Sequence, residues 1–321
     1  MFSVKAVVLA LFLSFALNGA GSCNDKRVSN AQNSNQSGAA NAPVNRQPER
    51  AGEAVAKNDL KTLAEGQLSS VGNAFIMVAR DAATYGALRG VVKNLPELNE
   101  EFFKSNLVVA AFLGERRTGG YGVRFMLAAN GAIRVEETRP AKDAMVVLMI
   151  TYPFSIVAVP VLNKEPLTID AGNTWRAMTR PYNVIDGEFT MSGGIAGRTE
   201  KFEIAGTLGV MLEGELATIF FELRSKGGAK TRILKNVASG IVNGNGNISI
   251  TGMSAGSFVD PPADLLRTTG QFTENENRLS LTFESIPGTV ADGYSGRGTL
   301  KAQATAPAPK KNKPLTGDVP Q

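Results

Sequence analysis

Short apolar runs separated by polar or glycine-rich breaks fill the first part of the chain, and this pattern predicts short β-strands. One stretch differs, because from Asp81 to Leu95 the apolar residues recur at roughly helical spacing and Pro96 ends the segment. A helix is predicted there, and a second short helix is predicted between Ala51 and Leu68. The other runs predict a small sheet, with strands at residues 74–78, 106–113, 123–127 and 132–136, and one or two more at 146–152 and 154–161.

From Pro166 to about Thr305 the chain breaks into shorter runs of alternating apolar and polar residues, divided by glycine-rich breaks. Many evenly spaced short strands are typical of an antiparallel sandwich or an up-and-down barrel, and the pattern leaves that choice open. The predicted fold class is therefore mainly β, with an α+β first domain and an antiparallel second domain. The predicted strands of the second domain are 187–191, 201–205, 208–212, 215–223, 230–236, 240–242, 247–250, 271–273, 278–283 and 298–303.

The N-terminal segment predicts export. Lys5 precedes an apolar run from Ala6 to Leu17, which is too short to span a membrane but has the length of the apolar region of a signal peptide. Small residues then lead from Gly19 to Cys23, as in a bacterial lipobox, where the cysteine thiol is lipidated and the chain is cut before it. Ordinary signal-peptidase cleavage at the same bond is the alternative, since Ala20 stands where lipoboxes usually carry leucine. We predict a lipid anchor at Cys23 and a location in the cell envelope.

These patterns divide the chain into five segments. The stretch after Cys23 is rich in Asn, Ser, Gln and Ala, so it has too little apolar surface to fold and is expected to act as a spacer. The C-terminal stretch is rich in Pro and Lys and is expected to be extended. The segments are a signal peptide (1–22), an anchored linker (23–50), a first domain (51–163), a second domain (166–305) and a tail (306–321).

Composition removes several classes of function. The chain has no His and one Cys, so it has no catalytic triad that needs His, no His-based zinc site and no internal disulfide. Its net charge of +5 is small, and its cations form no stripe interleaved with aromatic residues. Nucleic acid is therefore not an expected partner. No metal, cofactor or catalytic residue is predicted.

Three blocks carry a family resemblance. They are LVVAAFLGERRTGGYGVRF from Leu107 to Phe125, EETRP from Glu136 to Pro140, and TYPFSIVAVP from Thr151 to Pro160. In this order they resemble the PrcB C-terminal-domain family, over roughly residues 75–160. The namesake of that family is an accessory subunit that stabilises a secreted bacterial protease complex. The resemblance thus implies a role in binding another exported protein, and it implies no catalytic residues.

The most distinctive element of these blocks is the G-x-R-x-T-G-G-Y stretch at residues 114–121, and it has two interpretations. Gly119 and Gly120 predict a tight turn, because glycine reaches positive φ without steric cost. In the first interpretation the turn is only structural and Tyr121 covers a core. In the second it is an exposed loop, and the predicted partner-binding residues are Arg116, Arg117, Thr118 and Tyr121, since Arg and Tyr are enriched at binding hot spots.

The sequence therefore favours a non-catalytic exported lipoprotein that binds or stabilises another exported protein, for which a protease is one candidate. The alternative is a protein that uses the second domain as a barrel around an apolar small molecule. A large continuous cavity inside that barrel would favour the alternative, and an interior filled by side chains would favour a protein partner. A carboxylate-based hydrolase is a third candidate, which requires two converging acidic side chains.

Overall fold

The computed structural model describes residues 60–128, 132–161, 168–193, 198–227, 231–254, 265–286 and 295–305, all of which belong to one compact unit. The predicted signal peptide, Cys23, the linker and the C-terminal tail lie outside these residues. None of the helices within the described ranges is both long and apolar enough to cross a membrane.

The described residues form three short helices and fifteen strands. The helices are α1 (Ala82–Val91), α2 (Glu100–Phe103) and α3 (Asn173–Arg176). The strands that precede the barrel are β1 (Lys61–Gly66), β2 (Phe75–Ala79), β3 (Asn106–Phe112), β4 (Gly122–Leu127), β5 (Ile133–Thr138), β6 (Phe154–Pro160) and β7 (Ile169–Ala171). The barrel strands are β8 (Arg180–Gly193), β9 (Arg198–Glu213), β10 (Leu216–Lys226), β11 (Ile233–Val242), β12 (Asn247–Ser254), β13 (Leu265–Thr273), β14 (Arg278–Ser285) and β15 (Ser295–Ala304).

A four-stranded sheet with the order β1-β6-β3-β2 forms the centre of the first half, and neighbouring strands in it are antiparallel. Its strands β2, β3 and β6 are almost entirely buried, as their continuous apolar runs predict. Helix α1 confirms the predicted helix and packs Tyr85 and Leu88 into the core. Asp81 precedes its first residue, and the Asp81 side chain accepts a hydrogen bond from the Thr84 backbone N–H at 2.6 Å and so caps the helix.

The predicted helix at 51–68 is wrong where the structure describes it, because Lys61–Gly66 is the edge strand β1. It pairs antiparallel with β6, with a register shift between Thr62 and Ala64. Pairing with a buried neighbour thus overrides the weak local preference of this stretch for a helix.

The run at 146–152 does not form a predicted strand either. The described backbone there is irregular, and Thr151 alone makes a single bridge, to Arg116. An apolar run forms a strand only where a neighbouring strand can pair with it and a core can bury its side chains. Here Val147 and Leu148 are exposed to solvent instead. The second of the two possible strands is present as β6.

A second, three-stranded sheet has the order β4-β5-β7. Strands β4 and β5 pair antiparallel. An Asn-Gly pair is the sequence signal of a two-residue hairpin, and Asn130-Gly131 stands between these strands, although those two residues lie outside the described set. Strand β7 pairs in parallel with β5. Helix α3 follows and buries Trp175, whose indole N–H donates to the Phe112 carbonyl oxygen at 2.9 Å.

The second half is a closed antiparallel barrel with the order β10-β11-β12-β13-β14-β15-β8-β9, which decides between the two architectures that the sequence left open. Alternate residues of its strands point inward and form one buried apolar cluster, with aromatic side chains such as Phe189, Phe221 and Phe283. The barrel interior is therefore filled by side chains.

Four of the predicted short strands merge into two longer ones in the barrel, because Gly206 and Gly240 lie within strands and do not end them. A Cβ at Gly206 would collide with the Glu222 carbonyl oxygen, and a Cβ at Gly240 would collide with the Ser249 carbonyl oxygen. These glycines allow neighbouring strands to approach closely where a small barrel curves sharply.

The barrel wall covers the β2 edge of the four-stranded sheet. The Val78 backbone N–H, which no strand of the sheet accepts, donates to the Ser239 hydroxyl on β11 at 2.9 Å. That hydroxyl also bonds to Thr218 on β10 at 2.7 Å. Outward-facing barrel residues such as Phe220 and Val237 join the same apolar cluster as the sheet. An unpaired edge that would otherwise bind other strands is closed in this way.

Candidate partner-binding face

The glycine-rich stretch from Gly114 to Tyr121 connects β3 to β4 as a long turn that is tied down along its length. Gly114 has φ +73°, and a Cβ there would meet the Asn73 backbone, so only glycine fits. Arg116 exchanges two backbone hydrogen bonds with Thr151, both 2.8 Å long. The Thr151 hydroxyl donates to the Thr118 carbonyl oxygen at 3.0 Å. These hydrogen bonds hold the turn against the segment before β6.

Arg116 points inward along this turn. One guanidinium nitrogen donates to the Leu113 and Glu115 carbonyl oxygens at 2.8 and 3.0 Å. Nε and the other terminal nitrogen both donate to one Glu137 oxygen at 3.3 Å. The guanidinium carbon lies 5.6 Å from the centre of the Tyr121 ring, within the range of a cation–π contact. Its donors thus serve the protein's own structure.

Glu137 is the acceptor on which these contacts converge. Its side chain is only 8% exposed, and its second oxygen accepts from the Thr174 hydroxyl at 2.7 Å and from Arg139 at 3.3 Å. Burial by itself would raise the pKa of Glu137, but the hydrogen bonds from Thr174 and Arg139 and the charges of Arg116 and Arg139 outweigh it, so the pKa lies below its ordinary value. One ionised carboxylate thereby joins the turn, β5 and α3.

The two glycines of the turn differ in backbone conformation. Gly120 has φ +85°, in the region that favours glycine, whereas Gly119 does not have a positive φ. A Cβ at Gly120 would lie 2.9 Å from Pro140 Cβ and 3.2 Å from Val146 Cγ1. At Gly119 the nearest atom would be the Val147 oxygen, at an ordinary contact distance of 3.8 Å.

The predicted partner-binding residues differ in how accessible they are to a partner. Arg117 is exposed and has no ion pair or hydrogen bond among the described residues. Thr118 and Tyr121 are half-buried, and the Tyr121 carbonyl oxygen accepts from the Gln67 side chain at 3.0 Å. Arg116 is engaged internally, so a partner can reach Arg117 and the outer side of Tyr121 more readily. The role of all four as partner contacts stays a prediction.

Sequence reasoning missed an exposed apolar loop beside the turn. Met145 is 101% exposed, Leu148 88% and Val147 67%, and Met149 is also exposed. The loop is fixed to the turn, because the Gly119 N–H donates to the Val147 carbonyl oxygen at 2.9 Å. We call Leu68, Arg117, Tyr121 and residues 145–149 the apolar face. The sequence signal for this loop is the continuous apolar run at residues 145–150, but the same run is also typical of a buried strand.

Leu68 is counted in this face because the residue before it, Gln67, is hydrogen-bonded to the turn. The Gln67 side chain donates to Tyr121, and its carbonyl oxygen accepts from the Tyr152 N–H at 2.7 Å. Leu68 itself is 68% exposed. Across the described ranges, no group of three or more acidic or thiol side chains is placed to hold a metal ion.

Gly119 and Gly120 differ in backbone conformation, so the same substitution at each gives a matched pair of variants. Gly120→Ala forces a Cβ into the left-handed region and against Pro140, so we expect it to lower the free energy of unfolding by about 1–2 kcal/mol or more. Gly119→Ala has space and should stay within about 0.5 kcal/mol of the wild type. Urea denaturation of both variants measures the difference, and equal losses would contradict the described turn.

The Glu137 cluster gives a prediction about pH. Glu137→Gln leaves Arg116 largely buried without its counter-charge, and we expect a loss of about 1–3 kcal/mol near neutral pH. Because the folded-state pKa of Glu137 is lowered, its contribution is present above the unfolded pKa of about 4.3 and is lost as the pH falls through the folded-state pKa. The stability gap between wild type and variant should therefore narrow below about pH 4.

Glu136→Gln is the control for that experiment. Glu136 pairs with Arg124 at 3.0 Å, but both side chains are substantially exposed, at 38% and 60%. An exposed pair contributes at most about 1 kcal/mol, so this variant should lose little at any pH. Denaturation curves of the wild type and both variants at several pH values measure these differences in the free energy of unfolding. A Glu137→Gln gap that is the same at acid and neutral pH would contradict the role given to its charge.

Comparison with known proteins agrees with the sequence resemblance over one segment. Residues 107–160 match the family model described as PrcB C-terminal. The match includes the turn, Glu137, the apolar loop and β6, and it leaves out residues 75–106 of the predicted range. No curated protein matches the chain.

Among solved structures, the crystal structure of a mutant of the vaccine antigen Transferrin Binding Protein B from Haemophilus parasuis Hp5 is similar at 11% sequence identity. The TM-score is 0.25, and the alignment covers 61% of this chain and 35% of that one, so this chain spans about a third of that protein. A likeness at this identity and TM-score supports no conclusion about the function of this chain. The family match confirms the resemblance over residues 107–160, which are a part of the chain.

Proposed function

We propose that this chain is a non-catalytic, exported lipoprotein that binds or stabilises another exported protein through its apolar face. The observation that carries the proposal is the exposed loop at residues 145–149, fixed beside Arg117 and Tyr121. Contiguous exposed apolar side chains on a soluble domain commonly mark an interaction site. Arg and Tyr are the residue types that most often supply the binding energy at such sites.

The fixed conformation of the loop supports binding over simple exposure. Hydrogen bonds join Gly119 to Val147, and Arg116 and Thr118 to Thr151. A loop that is ordered before it meets a partner loses less conformational entropy on binding, so more of its contact energy appears as affinity. Met145 and Met149 can adapt to the partner's shape, because the unbranched side chain of methionine fits irregular surfaces.

The nature of the partner follows from the family and the predicted export. The namesake of the PrcB family is an accessory subunit of a secreted protease complex, which makes an exported protease one candidate partner. A lipid at Cys23 would hold the protein at a membrane of the cell envelope. The predicted linker from Asn24 to Arg50 would then give the folded part a reach of about 30 Å if it behaves as a flexible chain.

The second candidate, a barrel that carries an apolar small molecule, has less support. Buried side chains from all eight strands fill the barrel interior. Sites for drug-sized ligands are usually about 300–1,000 Å³ and lined mainly by apolar side chains. The pocket at the junction with the sheet, lined by Phe75, Arg180, Tyr182 and neighbouring residues, is smaller, at about 90 Å³. Other pockets, of about 300, 540 and 470 Å³, have exposed charged residues such as Arg176, Glu188 and Lys201 in their linings. The filled interior therefore favours the protein partner.

Site-specific crosslinking tests the proposal. A photo-reactive phenylalanine analogue replaces Leu148 in the full chain, expressed in the bacterium that produces the protein, and the crosslinked products are identified by mass spectrometry. We expect one exported protein to crosslink at position 148. Truncating Arg117 and Tyr121 to Ala together should reduce that product at least about tenfold, since hot-spot residues each contribute more than about 1–2 kcal/mol.

Ile233 is the matched control position, because it is also an exposed apolar residue, at 52%, but lies on barrel strand β11. The same analogue placed there should give no such product. A product common to both positions, or no exported protein crosslinked at 148, would count against the proposed function.

A further inference from the structure

A cleft of about 300 Å³ lies between the three-stranded sheet and the barrel wall. Strands β5 and β7 and helix α3 line one side of it, and β10 and β11 line the other. Buried apolar side chains form part of the lining, namely Ile169, Phe220 and Val237. Exposed charged side chains form another part, namely Arg134, Asp170, Arg176, Glu222 and Lys235. The cleft shares no residue with the apolar face.

Strand β7 has a free edge. It is the last strand in the order β4-β5-β7, so no described strand pairs with its outer side. On its inner side, the Thr168 carbonyl oxygen accepts from the Ile133 N–H at 2.8 Å, and the Gly172 N–H donates to the Val135 carbonyl oxygen at 3.4 Å. Backbone groups alternate in direction along a strand, so the N–H and C=O of Ile169 point away from β5.

This free edge borders the cleft. Three successive residues, 168–170, line the cleft, although successive side chains of a strand point to opposite faces. The edge of β7 therefore faces the cleft, and among the described residues we find no partner for the Ile169 N–H and C=O. The next outward carbonyl, that of Ala171, accepts from Arg176 Nε at 3.1 Å, so the free edge is short.

The free edge indicates the class of ligand. A neighbouring donor and acceptor on one residue are the groups with which an extended peptide pairs when it adds to a sheet. A lipid tail offers neither group. The apolar part of the lining then gives a place for a side chain of that peptide, as at other sites where a strand is added.

The charges of the cleft are not balanced among the described residues. Arg134 pairs with Asp170 at 3.6 Å, and Arg176 pairs with Glu222 at 3.4 Å. Lys235 is exposed and makes no ion pair within the described ranges. Glu222, which stands opposite Lys235 in the β10–β11 ladder, is the residue already paired with Arg176. An acidic side chain would balance the remaining positive charge.

We propose that this cleft binds an extended peptide segment that carries an acidic side chain. The peptide backbone pairs with the N–H and C=O of Ile169 at the edge of β7. One of its apolar side chains lies against Phe220 and Val237, and its acidic side chain pairs with Lys235. Because the free edge is short, the affinity for a short peptide is weak, with a dissociation constant of at most about 1 mM. The site is independent of the apolar face, so either proposal can fail without the other.

Amide exchange measured by NMR tests the site on the full chain, processed as on export and carrying Cys23→Ser. The probe is the capped pentapeptide Val-Asp-Val-Asp-Val, titrated to about 5 mM. Without it, the Ile169 amide should exchange faster than the Ile133 amide, which donates to Thr168. At about 5 mM peptide, exchange at Ile169 should slow at least about fivefold, because the bound peptide accepts from this N–H.

Two lysine variants test the charge. Lys235→Glu should raise the dissociation constant at least about threefold. Lys226→Glu is the matched control, since Lys226 is also an exposed lysine of the barrel but lies at the end of β10, outside the lining of the cleft. It changes the net charge equally and should leave the dissociation constant unchanged. The capped peptide Val-Lys-Val-Lys-Val should bind at least about threefold more weakly than the acidic one.

A form of the acidic peptide with N-methyl groups on its backbone nitrogens tests the strand pairing. It keeps the side chains and the charge but cannot donate to the Ile169 carbonyl oxygen, so its binding should be lost. Equal binding of the methylated and unmethylated peptides would overturn the proposal. So would the absence of binding at about 5 mM, or equal losses in the two lysine variants. An Ile169 amide that exchanges as slowly as Ile133 without peptide would show that the edge is already paired, and would overturn it too.

Discussion

The ionised carboxylate of Glu137 is the contact on which the apolar face depends. It lies almost out of reach of solvent, yet Arg116, Arg139 and Thr174 supply donors to both of its oxygens. A buried charge is tolerated only when its partners are in place, so the three elements that bring these donors must keep their positions. The turn at Gly114–Tyr121 is thereby fixed, and the loop at 145–149 is fixed in turn through its hydrogen bond to Gly119.

The barrel contributes to this arrangement by closing the opposite edge of the sheet. Ser239 and Thr218 satisfy the free edge of β2, and outward-facing residues of β10 and β11 extend the core of the sheet. The barrel interior is itself filled. The sheet and the outer wall of the barrel thus share one apolar core, and the exposed apolar residues of the described structure are left mainly on the face beside the turn. Binding is therefore expected at that face.

Much of this could be predicted from sequence, because strands that are buried on both sides give continuous apolar runs. That is why β2, β3 and β6 were predicted close to their positions, and why alternation predicted the barrel strands. The edge strand β1 was mistaken for a helix, since its pairing with β6 is not encoded locally. Gly206 and Gly240 were interpreted as breaks between strands, because glycine is required both in tight turns and where curved strands approach each other closely.

The candidate site was predicted in part for a similar reason. The glycine-rich turn was recognisable from its residues, and Gly120 does have the positive φ that such a turn needs. The sequence did not show that the Arg116 side chain turns inward to Glu137, because only the tertiary fold brings these two residues together. The apolar run at 145–150 looked like a buried strand, since sequence alone does not show whether a core receives it.

The turn and the apolar loop are expected to form one ordered unit that is exposed in solution. Hydrogen exchange of individual backbone amides, measured by NMR, tests it most directly. The amides of Gly119 and Thr151 donate to Val147 and Arg116, so we expect them to exchange at least roughly a hundredfold more slowly than an unstructured chain. The amide of Leu148, for which the described residues offer no acceptor, should exchange fast. Rapid exchange at all three positions would contradict the account.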